Sequence, residues 1–593
     1  MKSLKTLLPY VRVYRASLGF GLVLVIVANA LQAVGPRLVG LAIDAIASDL
    51  EVRTILLYAG AIVAVAVLGG AARYGMRELL NGLSRRVEVD LRDDLFAHFM
   101  RLDASFYGDE RTGDLMARAT NDTANVRQAV GPAVMYMVNT IAGTIFALAF
   151  MLSISARLTA LSLIPLVVLP PLVFRMASVL HRRYEAIQEQ FSTLTTMVQE
   201  NLSGARIVRA YGRERAQEAE FGALADEYLR RNMALARVNG LFRPSMSLLA
   251  GFGMVLVLWL GGRMVMSGAI TAGDFVAFFS YLGMLVWPMI ALGWVTSLFQ
   301  RGAASMARIN AILHTAPRVT DPPNPLSLAR ARGELEFRDV SFRYPGTDRD
   351  VLSDVSFRVE AGRTVALVGP TGAGKSTVVA LLARLYDPTG GAVLVDGIDV
   401  RDLSLARLRA AIGVVPQESF MFSDTIRENL RIGVPEGEDG EARIEEAVRI
   451  SQLQEAIESF PAGLDTRLGE RGVNLSGGQR QRAALARALA RDPEILVLDD
   501  ALSAVDTHTE ARILEGLERV LPDRTAVIVS HRVTAVKDAD EILVLDEGRL
   551  VERGTHARLL GRAGLYARLL RRQLLEEAVE EDAATLVPAK GAV

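Results

Sequence analysis

Three glycines, a lysine and two hydroxyls fall within eight residues, GPTGAGKS, from Gly369 to Ser376. The run TVALV before it reads as a buried strand, and STVVALLARLY after it as a helix. That strand–loop–helix context marks a phosphate-binding loop, because glycines let backbone N–H groups close around phosphate oxygens at a helix N-terminus. Gly369, Thr371, Gly372, Gly374, Lys375, Ser376 and Thr377 are therefore candidates to bind ATP. Lys375 is placed to reach the β- and γ-phosphates, and Ser376 to ligate Mg2+. A second strand-like run, ILVLDD, stops at Asp499 and Asp500. A carboxylate at the edge of a buried strand is expensive without a partner. A Mg2+ ion supplies one, so Asp499 is the expected metal ligand.

The elements that must hold these groups divide the chain in two. From residue 334 onward, short β-type runs (LEFRDVSFRY, TVALVG, AVLVDG, EILVLDD, TAVIVSH, EILVLDEG) alternate with helical stretches, the pattern of an α/β sheet. Ahead of them, HTAPRVTDPPNPLSLARARG (314–333) has four prolines and no apolar period, which predicts an extended connector. Ahead of that lie six apolar runs of the kind that span a bilayer with roughly 20 residues. They cover 18–43, 55–72, 130–154, 158–174 with an onward extension, 246–266 and 275–299. The long stretches 73–129 and 175–245 are rich in arginine and keep apolar residues at helical spacing. The positive-inside tendency puts both stretches in the cytoplasm, together with an N-terminus that carries Lys2, Lys5, Arg12 and Arg15. No small-residue cleavage site follows a short apolar region there, so the first run reads as a retained anchor. Asn29, Gln32, Arg37, Asn139 and Gln300 fall in or beside the spans, where they either face a central cavity or pack between helices.

Composition narrows the classes further. Hydrophobic residues make up 51% of 593 positions, against 22% charged, and the apolar residues concentrate in the first half. A net charge of −1 argues against nucleic acid as a partner. With no cysteine, disulfides, Cys-type zinc sites and thiol chemistry are excluded. Of 66 basic residues only five are lysine, a bias that fits a GC-rich genome, a heat-adapted source, or both.

Between the two chemistry-bearing runs stands LSGGQR, Leu475 to Arg480, and with it the C-terminal half resembles the nucleotide-binding domain of an ATP-binding-cassette (ABC) transporter. Other motifs follow in family order. Tyr344 in FRYP resembles the aromatic that stacks on adenine, and Gln417 in VVPQESFMFSDT the glutamine that contacts Mg2+ and senses the membrane domain. RLGERG (467–472) resembles the exporter loop before the signature, SAVD (503–506) the D-loop, and His531 in VIVSHR the switch histidine that contacts the γ-phosphate. FYGDERTGDLMARATND (106–122) and ENLSGARIVRAYGRE (200–214) are similar to the two intracellular loops of ABC exporters, each with a coupling helix.

The resemblance covers nearly the whole chain. It implies an all-α polytopic membrane domain of six long transmembrane helices with cytoplasmic extensions (1–313), a linker (314–333) and an α/β P-loop ABC nucleotide-binding domain (334–572). An acidic tail, 573–593, is expected to be disordered. ABC domains pair head to tail, so Ser476, Gly477, Gly478 and Gln479 would meet the ATP held by a partner. Asp500 stands where the family carries a glutamate that polarises the attacking water. Asp500, His531 and Gln417 are thus the expected catalytic set, with Ser376, Gln417 and Asp499 around Mg2+. Aspartate is one methylene shorter, and misplacement on that scale costs on the order of 10²-fold. The mismatch is similar to that of the Asp-bearing subunit in heterodimeric bacterial multidrug and peptide exporters of the TmrAB type. The resulting expectation is ATP-driven export of hydrophobic drugs, lipids or peptides across the cytoplasmic membrane, as half of a heterodimer with a second half-transporter. The alternatives are a homodimer that uses Asp500 as base, or a lipid flippase.

Overall fold

The computed structural model describes residues 2–48, 52–326, 331–435, 437 and 440–586. The chain forms two compact units: Met1–Met100 with Thr112–Thr315, and Arg101–Arg111 with Ala316–Val593.

The first unit is built from six long helices: α1 (Arg15–Ala47), α2 (Val52–Phe99), α3 (Thr112–Ile154), α4 (Ala156–Ser203), α5 (Glu214–Met266) and α6 (Ala272–Leu313). Among the described residues α1, α2, α3 and α6 are long and apolar enough to cross a membrane. The fourth and fifth expected spans, 158–174 and 246–266, fall on α4 and α5 and include positions whose side chains lie outside the described set. α2, α4 and α5 run far past the 20 residues that a bilayer requires, as the helical spacing of the arginine-rich stretches predicts.

Local chemistry sets the ends. Ser155 leaves the helical region (φ −161°), and its side chain accepts from the Leu158 N–H, which stops α3 and starts α4. Thr271 and Asp274 form a capping box that starts α6. α3 carries two π-helical turns, Arg118–Asp122 and Ala129–Ala133, the second around Pro132. A proline lacks the N–H that continues an α-helix, and a π turn absorbs the extra residue. The core of the unit gathers Ala33, Met151, Leu158, Val257, Phe278, Tyr281 and Leu285 from five helices. Asn29 donates to Asn139 (2.9 Å) between α1 and α3. Arg37 pairs with Asp274 of α6. Asn29, Asn139 and Arg37 thus each contact a neighbouring helix.

In the second unit, a six-stranded sheet runs β10 (Arg549–Gly554), β9 (Glu541–Asp546), β3 (Thr364–Val368), β8 (Thr525–Val529), β7 (Ile495–Asp499), β6 (Ile412–Val415). All its pairings are parallel except β10 with β9. TVALV and ILVLD are buried almost throughout, as parallel strands covered on both faces must be. A smaller antiparallel sheet holds β2 (Leu352–Val359), β1 (Leu335–Phe342), β4 (Gly390–Val395) and β5 (Ile398–Asp399). Helix α7 (Lys375–Leu382) follows β3, and α8 (Gly477–Ala490) precedes β7. α9 (Thr507–Glu518) links β7 to β8.

The connector is extended but not free. Thr320 accepts from the Arg384 guanidinium (3.0 Å), Asp321 caps the Leu405 N–H (2.6 Å), and Leu326 bridges Leu403. Asp103, which caps the short helix Ala104–Asp109, also accepts from the Arg318 N–H. α10 (Leu565–Leu586) continues through Glu576–Asp582, where Leu, Ala and Glu are strong helix formers. Residues 587–593 lie outside the described residues.

Candidate functional site

Three neighbouring parallel strands, β3, β8 and β7, end at the same edge of the sheet. The loop 369–374 follows β3, Asp499 and Asp500 close β7, and His531 stands two residues past β8. Ligands of open α/β sheets bind beyond these carboxyl ends. β6 pairs with β7 up to Val415, so exposed Gln417 leaves the sheet at the same edge. Sequence-distant residues are brought together by strand order alone.

The phosphate loop turns at Gly369, Gly372 and Gly374, whose φ values of 155°, 85° and 97° are poorly tolerated by residues with a Cβ. Gly374 is also the N-cap of α7, so that Lys375, Ser376 and Thr377 form its first turn. Thr371, Gly372 and Ser376 are exposed, while Lys375 and Thr377 are buried. The Lys375 ammonium donates to the carbonyls of Gly369 (2.8 Å) and Pro370 (2.9 Å), folding back over its own loop. Burial pulls its pKa down, and the carboxylates of Asp500 and Asp499 oppose that shift. Tyr344 places its hydroxyl 3.1 Å from Thr377 Oγ1 and packs edge-on against Phe342 and Tyr386, which fixes the ring beside the start of α7.

Asp499 is 5% exposed, and its Oδ1 has no hydrogen-bond partner. Burial pushes its carboxyl up, against the Ser376 hydroxyl, which hydrogen-bonds to it, and the nearby Asp500 charge adds to the rise. A buried carboxylate oxygen left without a partner, beside a serine hydroxyl at a phosphate loop, is what a Mg2+ ion would satisfy. Among the described residues no cluster of three His, Asp or Glu could hold a metal alone. Mg2+ would therefore need phosphate oxygens to complete its shell, consistent with its habit of joining one or two carboxylates to a nucleotide.

Asp500 sits in the left-handed region (φ 48°), which Asp tolerates better than most residues. Its N–H donates to Val529 O (2.9 Å), tying the turn to β8. Both carboxylate oxygens face one residue: His531 N donates to Oδ1 (3.0 Å), and His531 Nε2 lies 2.8 Å from Oδ2. His531 thus holds the carboxylate at both ends.

The signature residues are placed differently. Ser476 caps α8, accepting from Gln479 N (3.2 Å), while its own N–H donates to Gln479 Oε1 (2.9 Å). Gly477 and Gly478 form the first turn, and a Cβ at Gly478 would meet Ala504 O at 2.8 Å. The hydrogen bonds of Ser476 and Gln479 stay within this turn rather than reaching the phosphate loop of the same chain.

Two linkages escaped the sequence reading. Buried Gln481 donates to Ser503 Oγ (2.9 Å) and to Asp500 O (3.4 Å), and accepts from Ala504 N (2.8 Å). It joins α8 to the Asp500 turn and to the loop 503–506. Arg532, beside His531, pairs with buried Glu510 of α9 (2.9 Å). A lone Gln or Glu at helical spacing carries no motif, so only the fold identifies these two.

Comparison with known proteins follows the same division of the chain. The family described as ABC transporter transmembrane region matches residues 18–289, and that described as ABC transporter matches 352–503. The chain is 38% identical to the multidrug resistance-like ATP-binding protein MdlA of Escherichia coli (strain K12) over 572 residues, 96% of either chain. It is 34% identical over 585 residues to an ATP-dependent lipid A-core flippase of Syntrophus aciditrophicus (strain SB), covering 98% of this chain and 96% of the relative. A bacterial Atm1-family ABC exporter with ATP bound is similar in structure, with a TM-score of 0.74 and 31% identity over 95% of this chain and 99% of that one.

Proposed function

The chain belongs to the ABC transporter family as an exporter half-transporter, a helical membrane domain fused to an ATP-hydrolysing cassette, and from that premise we propose that it works as one half of a heterodimer whose second ATP site does most of the hydrolysis. The observation that carries this reading is Asp500. The position calls for a carboxylate that orients the attacking water, and the shorter side chain is held by His531 at both oxygens.

At this chain's site, the loop N–H groups and Lys375 would hold the phosphates, with Tyr344 against the base. Lys375 must release Gly369 and Pro370 to reach the phosphates, exchanging two carbonyl contacts for charge-assisted ones. Ser376, Asp499 and Gln417 would hold Mg2+, which supplies neutralisation of the β- and γ-phosphate charge. Asp500 would orient water only from further back, so ATP stays bound and turns over slowly. Ser476, Gly477, Gly478 and Gln479 would close on the ATP of the partner, where the partner's own carboxylate completes catalysis. The cargo is hydrophobic or amphipathic. The named roles of the relatives, multidrug resistance and lipid A-core flipping, support that class, and the apolar spans provide the surface for it.

The test is Asp500→Glu in the purified native complex, read as single-turnover hydrolysis of ATP bound at this chain's site. Restoring the longer carboxylate is expected to speed that turnover by about 10²-fold. An unchanged rate would mean that Asp500 does not limit the site.

A further inference from the structure

We infer that Gln481 is a positioning residue for Asp500, through which helix α8 sets the aim of the carboxylate at this chain's own ATP site. Gln481 is 6% exposed and stands one turn after Gly477. Both ends of its side-chain amide address one short stretch. Its Nε2 donates to Ser503 Oγ (2.9 Å) and, at longer range, to Asp500 O (3.4 Å), while its Oε1 accepts from Ala504 N (2.8 Å). The same Asp500 carbonyl accepts from Ser503 N (3.2 Å), and the Asp500 N–H donates to Val529 O. Asp500 is thus tied to β8 through its N–H and to α8 through its carbonyl.

A leucine would be enough to fill this space. Ala501 and Val505 already seat the turn in the apolar cluster that holds Ala483 and Ala484 of α8. An amide buried there is costly unless both ends are hydrogen-bonded, so amide and turn keep one relative orientation. Direction is what the amide adds, because hydrogen bonds weaken steeply off-axis while apolar burial is non-directional. The start of α8 leaves little slack either. A Cβ on Gly478 would stand 2.8 Å from Ala504 O, and one on Gly477 3.6 Å from Ala504 Cβ. The first turn of α8 and the loop 503–506 are therefore in close contact, and the amide locks them one turn further on. Ser476 caps that first turn, so a displacement of α8 on closing over the partner's ATP is carried to the Asp500 turn. A misplacement of about 1 Å there costs on the order of 10²-fold in rate.

The inference rests on the proposed reading of Asp500 as the carboxylate that orients water, and it holds for either composition of the dimer. Gln481→Leu keeps the bulk and removes all three hydrogen bonds. Ser503→Ala, at an exposed position, removes one of them. In the purified native complex, single-turnover hydrolysis of Mg-ATP at this chain's site is measured beside ATP affinity and the thermal midpoint. Asp500→Asn serves as the reference and is expected to slow hydrolysis. Gln481→Leu is expected to lower the rate at saturating ATP by about 10- to 10²-fold, with affinity held within about twofold. Ser503→Ala should lower it less, and the double variant no further than Gln481→Leu alone, because both changes act on one contact. A side chain that merely stabilised the domain would lower the midpoint and spare the rate of the folded, ATP-bound complex. With Asp500→Asn slow, an unchanged rate in Gln481→Leu overturns the inference, as does an unchanged rate in Ser503→Ala where the leucine variant does not assemble. An unchanged rate in Asp500→Asn overturns the reading of Asp500, and the inference with it.

Discussion

At the scale of single residues, the two adjacent aspartates are separated by environment, not by type. Asp499 is a buried carboxylate with an unpartnered oxygen, whereas Asp500 is turned by its left-handed backbone into the grip of His531. The sequence distinguishes them only by order. If Asp499 holds Mg2+, Asp499→Asn is expected to abolish the extra thermal stabilisation that Mg2+ adds to ATP, and to leave the stabilisation by ATP in EDTA largely intact. Thermal unfolding with ATP, with and without EDTA, checks this. The pH dependence has a definite sign. Burial raises the Asp499 carboxyl above its usual range, and a ligand must be deprotonated to bind metal. Mg2+ affinity should therefore weaken as pH falls through that raised value, earlier than for an ordinary carboxylate. The Asn variant should show no such limb.

At the scale of elements, close helix contacts rest on missing side chains. Gly302 of α6 faces the π-helical part of α3, where a Cβ would stand 2.3 Å from Ala129 Cβ and 3.2 Å from Asn125 O. Overpacking of that kind costs about 1–3 kcal/mol. Gly302→Ala should lower the thermal midpoint of the membrane unit while leaving ATP affinity unchanged, and an unshifted midpoint would show that α3 yields there. This contact also marks where sequence reading stops. The strand–loop–helix around Lys375 and the strand ending in Asp499 are local patterns, legible because composition and spacing set them within a dozen residues. The six helices were legible because apolar runs of that length have few other uses. The Gly302 contact, the Arg37–Asp274 pair and the Gln481 bridge depend on partners farther along the chain, which no local window contains. The acidic stretch through Asp582 continues α10, where the helix propensity of Leu, Ala and Glu acts alongside charge.

At the scale of the molecule, one chain supplies one phosphate loop and one signature, and the signature's hydrogen bonds are spent within its own helix cap. A second chain has to meet both, and its identity fixes how the two sites divide the work. If the partner carries a full catalytic carboxylate, this chain's Ser476 belongs to the fast site and its Lys375 to the slow one. Ser476→Arg in this chain should then abolish steady-state ATP hydrolysis, as loss of a charge-stabilising donor does on the scale of 10²–10³-fold. Lys375→Ala in this chain should weaken ATP binding at the slow site and lower steady-state turnover far less. A complex containing only this chain predicts the opposite symmetry, because each site would then contain both residues and the two variants would be equally inactive. Isolating the complex from its own organism by a tag on this chain supplies the independent reading. A distinct half-transporter at one-to-one ratio, with a strand ending in Asp-Glu at the position of Asp499 and Asp500, should accompany unequal variants. This chain alone should accompany equal ones, and would make Asp500 a working base despite its length.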